Sequence, residues 1–223
     1  MGTRLQTLAG QVRGRVVADI GTDHGQLPLL LLEEGSVLQV LATDISANSL
    51  KKCETLLADH PHRQRVRLLV TDGLQGIPTE RIDTIVISGM GGHRIIGILS
   101  RALQEKKPLR RLVLSPQKGE EAVRRFLHSR GFRILTEEFI EEEKKYYTIL
   151  VAEPGKETYS DEKDYKYGKL LIEKAPADWI RWLDKEIAIR EALLTPSLSA
   201  ASEQAIRFRI EELKEVRNAT DHS

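Results

Sequence analysis

Seven short β-branched or leucine-rich runs alternate with helical stretches through the first 150 residues, and this alternation restricts the fold more than any other feature. The runs are Arg15–Ile20, Leu38–Thr43, Val66–Val70, Ile82–Ser88, Leu112–Ser115, Phe132–Ile140 and Tyr146–Ala152, with helical stretches at 26–34, 46–59, 92–106 and 118–130. Repeated βα units of this length predict an α/β domain whose sheet is mostly parallel and covered by helices on both faces. Only Glu141 to Lys145 separates the last two runs, too few residues for a parallel crossover, so they should pair as an antiparallel hairpin.

The pattern changes after Glu153-Pro154-Gly155, which predicts one domain over 1–155 and a second over 156–223. Residues 160–194 and 199–218 are expected to be helices, with Trp179, Leu183, Ile187 and Leu194 at helical spacing, followed by Ile206, Ile210 and Leu213. Pro176 should kink or restart the first helix, Thr195 to Ser199 should turn, and Ser199 is a candidate N-cap. The expected form is an α-helical hairpin, in which Trp179 and Trp182 are either core or a stacking platform for bases.

No apolar run is long enough to span a bilayer, and the start of the chain lacks a signal-peptide core, so a cytoplasmic protein without membrane contact is expected. The single cysteine, Cys53, excludes an internal disulfide framework, and no histidine stands at metal-site spacing from cysteine or carboxylate, so no metal is expected.

Ligands of doubly wound sheets bind beyond the carboxyl ends of the strands, near the point where strand order reverses. The first such junction is Val17-Ala18-Asp19-Ile20-Gly21-Thr22-Asp23-His24-Gly25. Gly21 allows a sharp turn and close approach of a ligand, but no glycine completes a dinucleotide fingerprint. Asp19 would orient the cationic amino-acid end of S-adenosylmethionine (SAM), and would gain nothing beside a pyrophosphate. Asp44 and Ile45 follow the second run, where a carboxylate accepts from both ribose hydroxyls. Asp72-Gly73 follows the third, where a carboxylate accepts from the adenine amino group. Any one of these acids could instead cap a helix; together, at successive strand ends, they form the pattern of a SAM site. After the fourth run, Gly89-Met90-Gly91-Gly92 would admit backbone close to the methyl group, form an anion nest, or serve only as a tight turn. Seven strands ending in an antiparallel pair match the class I SAM-methyltransferase form of the Rossmann-like fold, here with an appended α-helical hairpin.

The net charge of +1 excludes nothing, but its distribution is uneven. Ten basic residues and only three acids lie between Arg101 and Arg133, either a phosphate-binding face or two solvated helix surfaces.

With these segments placed, the chain resembles the bacterial tRNA (adenine-22, N1)-methyltransferase family, TrmK. The likeness is carried by Arg4-Leu5, Ala18 to His24 with Leu27-Pro28, Asp72-Gly73-Leu74, Gly89-Met90-Gly91-Gly92, Leu114 to Gln117, and Lys145 to Glu153, about residues 4–155 in all. Ser115-Pro116-Gln117 stands where the family has Gln-Pro-Asn, Gly25-Gln26 where it has alanine and tyrosine, and Asp44 where glutamate is frequent. The resemblance implies SAM-dependent methylation of N1 of adenine 22 in tRNA, by a monomer or homodimer. Adenine N1 needs no deprotonation before attack, but the product base is cationic, so a carboxylate beside it assists. Asp23, which follows the glycine turn, is the candidate catalytic group; its alternative is to cap the next helix.

The expected cofactor residues are thus Asp19, Gly21, Asp44, Ile45, Asp72, Gly73, Gly89 and Met90. The expected substrate residues are His24, Gln117, Lys118, Arg124, Arg125, Lys145 and Tyr147. Among them Tyr147 or His24, or the neighbouring Tyr146, would stack on an extruded base, and the cations would hold the RNA backbone. A small-molecule or protein methyltransferase, and a SAM-binding protein without catalysis, remain open alternatives; burial of the Arg101–Arg133 cations in ion pairs would favour the former.

Overall fold

The computed structural model describes residues 2–195 and 198–220. It forms two compact units, one of Met1–Glu137 with Tyr147–Thr158, the other of Glu138–Tyr146 with Tyr159–Ser223.

The first unit is built on strands β1 (Val16–Ile20), β2 (Gln39–Asp44), β3 (Val66–Val70), β4 (Thr84–Met90) and β5 (Leu112–Pro116). Two longer strands, β6 (Phe132–Glu142) and β7 (Lys145–Pro154), complete a seven-stranded sheet in the order β3-β2-β1-β4-β5-β7-β6. β1 lies parallel to β2 and β4, β7 runs antiparallel to β5, and β6 is hydrogen-bonded to β7 at the end of the sheet, the pair that the short connection joins. Strands covered on both faces must be apolar throughout, and β5 is buried at every residue. Between β6 and β7 the two loop residues, Glu143 and Lys144, both have positive φ (52° and 63°), the type I′ geometry that matches strand twist.

Helices α1 (Thr3–Gly10), α2 (Gln26–Glu33), α3 (Ala47–Leu57), α4 (Gly92–Gln104) and α5 (Glu120–Ser129) flank the sheet strands in sequence. α4 buries Ile95, Ile98, Leu99 and Ala102, one face at helical spacing. α1 has no counterpart among the expected elements: only two of its residues, Leu8 and Ala9, are buried, too few to make a periodic signal. β4 starts two residues later than expected, because the Ile82 amide completes a 3₁₀ turn by donating to Thr79 O at 3.0 Å. It also runs two residues further, through a register shift between Ser88 and Met90.

In the second unit a π-helical turn, Asp164–Gly168, leads into α6 (Lys169–Lys174), and then come α7 (Ala177–Ala192) and α8 (Ala200–Ala219). Pro176 acts as expected: Ala175 turns at φ 45° and α7 restarts after the proline. The Ser199 hydroxyl caps α8 by accepting from Ser202 N–H at 3.2 Å, while Pro196 and Ser197 of the expected turn lie outside the described residues. Trp179 is fully buried with Leu183, Leu213 and Val216, and Trp182 packs beside them, its ring 5.7 Å from that of Phe139. Trp179 is therefore core and cannot stack on a base, whereas Trp182 is only partly buried.

Candidate active site

A cavity of about 520 Å³ opens beyond the carboxyl ends of β1, β2 and β4, where the strand order reverses. Its walls include Asp19, Gly21, Asp23, His24, Asp44, Ile45, Gly73, Gly89, Met90, Gln117 and Tyr147 from the sequence-expected set.

Asp19 lies at the floor, 3 % exposed, and burial pushes its carboxyl up to about 6; a hydrogen bond from Thr22 lowers it in part and the charge of Asp44 raises it further. Among the described residues no cation pairs with it. After β1 the chain turns through Gly21 at φ 75°, and the Gly21 and Thr22 amides both donate to Thr43 O, at 2.8 and 2.9 Å. The turn is therefore pinned to the end of β2. Asp44 strengthens the link, accepting from Asp23 N–H at 3.2 Å and Ser46 N–H at 2.8 Å. Ser46, not Asp44, caps α3, its hydroxyl accepting from Ser49 N–H. Ile45 is exposed beside it.

Asp23 adopts φ 51°, a left-handed conformation that Asp and Asn tolerate better than other side chains. Its carboxylate is 69 % exposed within the cavity wall and does not cap α2, whose N-cap is Gly25 without a side-chain bond. The capping alternative is thereby removed. His24 Nε2 stands 3.6 Å from Asp23 Oδ1 and 3.1 Å from Lys52 Nζ. Gly25, at φ 78°, packs against α3: a Cβ there would fall 2.3 Å from Cys53 Sγ. Cys53 is buried, and that burial pushes its thiol up to about 11, which leaves it protonated and unreactive.

Several expected residues lie elsewhere. The Asp72 carboxylate turns away from the cavity to accept from Arg101 at 2.8 Å, a bond that holds it below the usual carboxylate range; only its neighbours Thr71 and Gly73 reach the cavity. Arg124 is 1 % exposed, with Nε 2.6 Å from the fully buried Glu137 carboxylate, so it cannot hold an RNA backbone. Arg125 pairs with Glu121 one turn earlier on α5. Lys118 and Lys145 are outside the cavity wall, although the Lys118 carbonyl fixes the start of α4 by accepting from Gly92 N–H at 2.8 Å. The expected basic face largely dissolves into local pairs: Lys107–Glu105, Arg110–Asp83 and Arg111–Glu153 join the three already described. Conversely, Arg4, Leu5 and Arg94 line the cavity and were not among the expected site residues. Arg4-Leu5 carried part of the family likeness, and that was the signal available for them. Among the described residues no group of three or more His, Cys, Asp or Glu side chains could hold a metal ion, and no helix is long and apolar enough to cross a membrane.

The strand order, with a carboxylate-floored cavity at its reversal point, is that of a class I SAM-dependent methyltransferase. A family model described as tRNA (adenine(22)-N(1))-methyltransferase, TrmK, matches residues 17–217, and the chain belongs to that family. The tRNA (adenine(22)-N(1))-methyltransferase of Bacillus subtilis is 30% identical over 156 residues, 70% of this chain and 66% of that protein. Its crystal structure is similar over 97% of this chain and 98% of the other, with a TM-score of 0.80 and 27% identity. A Streptococcus pneumoniae protein crystallised in complex with S-adenosyl-L-methionine is similar with a TM-score of 0.85 and 28% identity, over 96% of this chain and 98% of that one.

Proposed function

We propose that this chain transfers the methyl group of SAM to N1 of adenine 22 in tRNA. One observation carries the reading beyond the family: a single cavity joins the strand-end positions of a SAM site, Asp19, Asp44 and Gly73, to Asp23, His24, Gln117 and Tyr147, which suit a base. Its volume suits a ligand of this size, and the buried, cation-free Asp19 carboxylate lacks the positive group that the amino-acid end of SAM carries. Asp19 would hold that ammonium, Asp44 the ribose hydroxyls, and the Gly73 backbone and Ile45 the adenine ring.

SAM, when bound, supplies a methyl group on a sulfonium cation, open to in-line attack by a lone pair. Tyr147 offers the extruded target adenine an aromatic face. Asp23 places negative charge where the base becomes cationic, and the tie from its amide to Asp44 Oδ2 keeps it there. Gln117, whose backbone N–H donates to Met90 O at 2.8 Å, is held at the same mouth, and its side chain can bond the base edge. The reaction belongs in the cytoplasm, with its tRNA.

The local pairing of the Arg101–Arg133 cations favours, on charge alone, a small-molecule or protein substrate. Incubation with methyl-labelled SAM separates the readings. Given bulk bacterial tRNA, the label should appear in RNA, and digestion should return it as 1-methyladenosine. Unlabelled RNA beside labelled protein or small molecules would replace this reading with the other.

A further inference from the structure

Between Lys51 and Arg67, five lysine and arginine residues stand against two acids, Glu54 and Asp59. Lys51 and Lys52 are exposed on α3, while Arg65 and Arg67 flank the buried Val66 where the chain enters β3, the strand at one end of the sheet. These segments form one surface. Arg63, in a 3₁₀ turn over Arg63–Arg65, reaches back to Glu54 of α3 at 3.4 Å and donates to Val66 O at 2.7 Å, so it ties helix to strand. Glu54 lies three residues beyond Lys51, on the same face of the helix, and its charge is offset by Arg63. Among the described residues, the side chains of Lys51, Arg65 and Arg67 make no hydrogen bond or ion pair. At its other end the surface reaches the cavity, because Lys52 Nζ is 3.1 Å from Nε2 of His24, a wall residue.

We infer that this α3–β3 edge is the surface that holds the tRNA backbone, with Lys51, Arg65 and Arg67 meeting phosphates of the strand that leads to the adenine in the cavity. The inference rests on the proposed function. Three physical points support it. A cation already paired with an acid must give up that pair before it meets a phosphate, whereas these three can bind one outright and release its counterions. Most cations of the Arg101–Arg133 run are in the first condition, so the denser run is the poorer RNA surface. A base held out of its stack also needs its backbone fixed close by, and the contact of Lys52 with His24 makes the surface continuous with the cavity. An acidic polypeptide would match the same charge but would bring no base to that cavity. Finally, the rigid donor forks of Arg65 and Arg67 fit phosphate oxygens and carry no sequence information, which leaves the choice of base to the cavity.

The test measures tRNA affinity against salt concentration, with SAM affinity and tRNA methylation alongside, for the wild type and three triple variants. In Lys51→Ala with Arg65→Ala and Arg67→Ala, loss of three phosphate contacts should reduce the slope of log affinity on log salt by about 2. The KM for tRNA should rise by about tenfold or more, while kcat and SAM affinity keep their wild-type values. Lys51→Arg with Arg65→Lys and Arg67→Lys should keep the slope, because each position still carries its charge. Lys106→Ala with Arg130→Ala and Arg133→Ala, three exposed cations of the other run, should keep it too. An unchanged slope in the first variant, an equal loss in the first and third, or a matching loss of SAM affinity would overturn the inference while leaving the proposed function intact. Failure of the wild type to methylate any tRNA would overturn both, and the two failures are therefore distinguishable.

Discussion

Asp19 carries an energetic cost that only a ligand can return. Its carboxyl is raised from 3.8 to about 6, chiefly by burial, so the ligand-free fold holds a charged group it disfavours. The folded state binds the proton more tightly than the unfolded state. The cost is therefore fully present above pH 6, about 3 kcal/mol, and is relieved as the pH falls from about 6 toward 4. Asp19→Asn should raise the melting temperature at pH 7 while weakening SAM binding by tenfold or more, on the order of a lost charge-assisted hydrogen bond. Wild-type SAM affinity should rise with pH through about 6 and then level, and the Asn variant should lose that dependence. A destabilised variant with normal SAM affinity would remove Asp19 from the cation site. Asp23 separates along a different line. Asn tolerates its φ of 51° and keeps the amide bond to Asp44, so Asp23→Asn should fold and bind SAM while single-turnover methylation falls by about 10²–10³-fold. Asp23→Ala should show the same loss and also a stability deficit of about 1–2 kcal/mol, from the left-handed backbone. Full activity in Asp23→Asn would end its catalytic assignment.

At the scale of elements, the Arg124–Glu137 pair ties α5 to β6 through two side chains that are essentially inaccessible. Removing one partner strands the other charge, so Arg124→Ala should cost about 3–5 kcal/mol, read by chemical denaturation. Replacing both, as Arg124→Met with Glu137→Leu, should recover much of that loss; equal losses in the single and double variants would mean that the pair is not coupled. The same residue shows what sequence could not supply. The central strands were legible because parallel strands buried on both faces leave continuous apolar runs, the half-exposed edge strand β3 through its valines and leucines, and the close β6–β7 connection fixed the antiparallel end. α1 was not legible, since two buried residues make no period, and with it went Arg4 and Leu5 as part of the cavity. Asp19, Gly21, Asp44 and Gly73 were legible because strand ends are forced to one edge of the sheet. Asp72 and Arg124 were not: each is decided by a partner far away in the chain, Arg101 or Glu137, and a run of like charges conceals such pairing. The Asp23 capping alternative likewise fell only to the backbone, which starts α2 at Gly25.

For the whole molecule, the cations that line the cavity come from outside the continuous basic run or from α4, as Arg4 and Arg94. Exposed pairs such as Arg101–Asp72 contribute little to stability and are screened by salt, yet they lower the net field that the run projects. On the proposed function, substrate choice should depend on the nucleotide that enters the cavity more than on a broad electrostatic face. Two tRNA transcripts that differ only in carrying adenine or guanine at position 22 test this directly when incubated with the protein and methyl-labelled SAM. The adenine transcript should take up close to one methyl group per molecule, recovered as 1-methyladenosine, and the guanine transcript should take up none. Equal labelling of both transcripts, or label recovered in any other nucleoside, would contradict N1 methylation of adenine 22 by this chain.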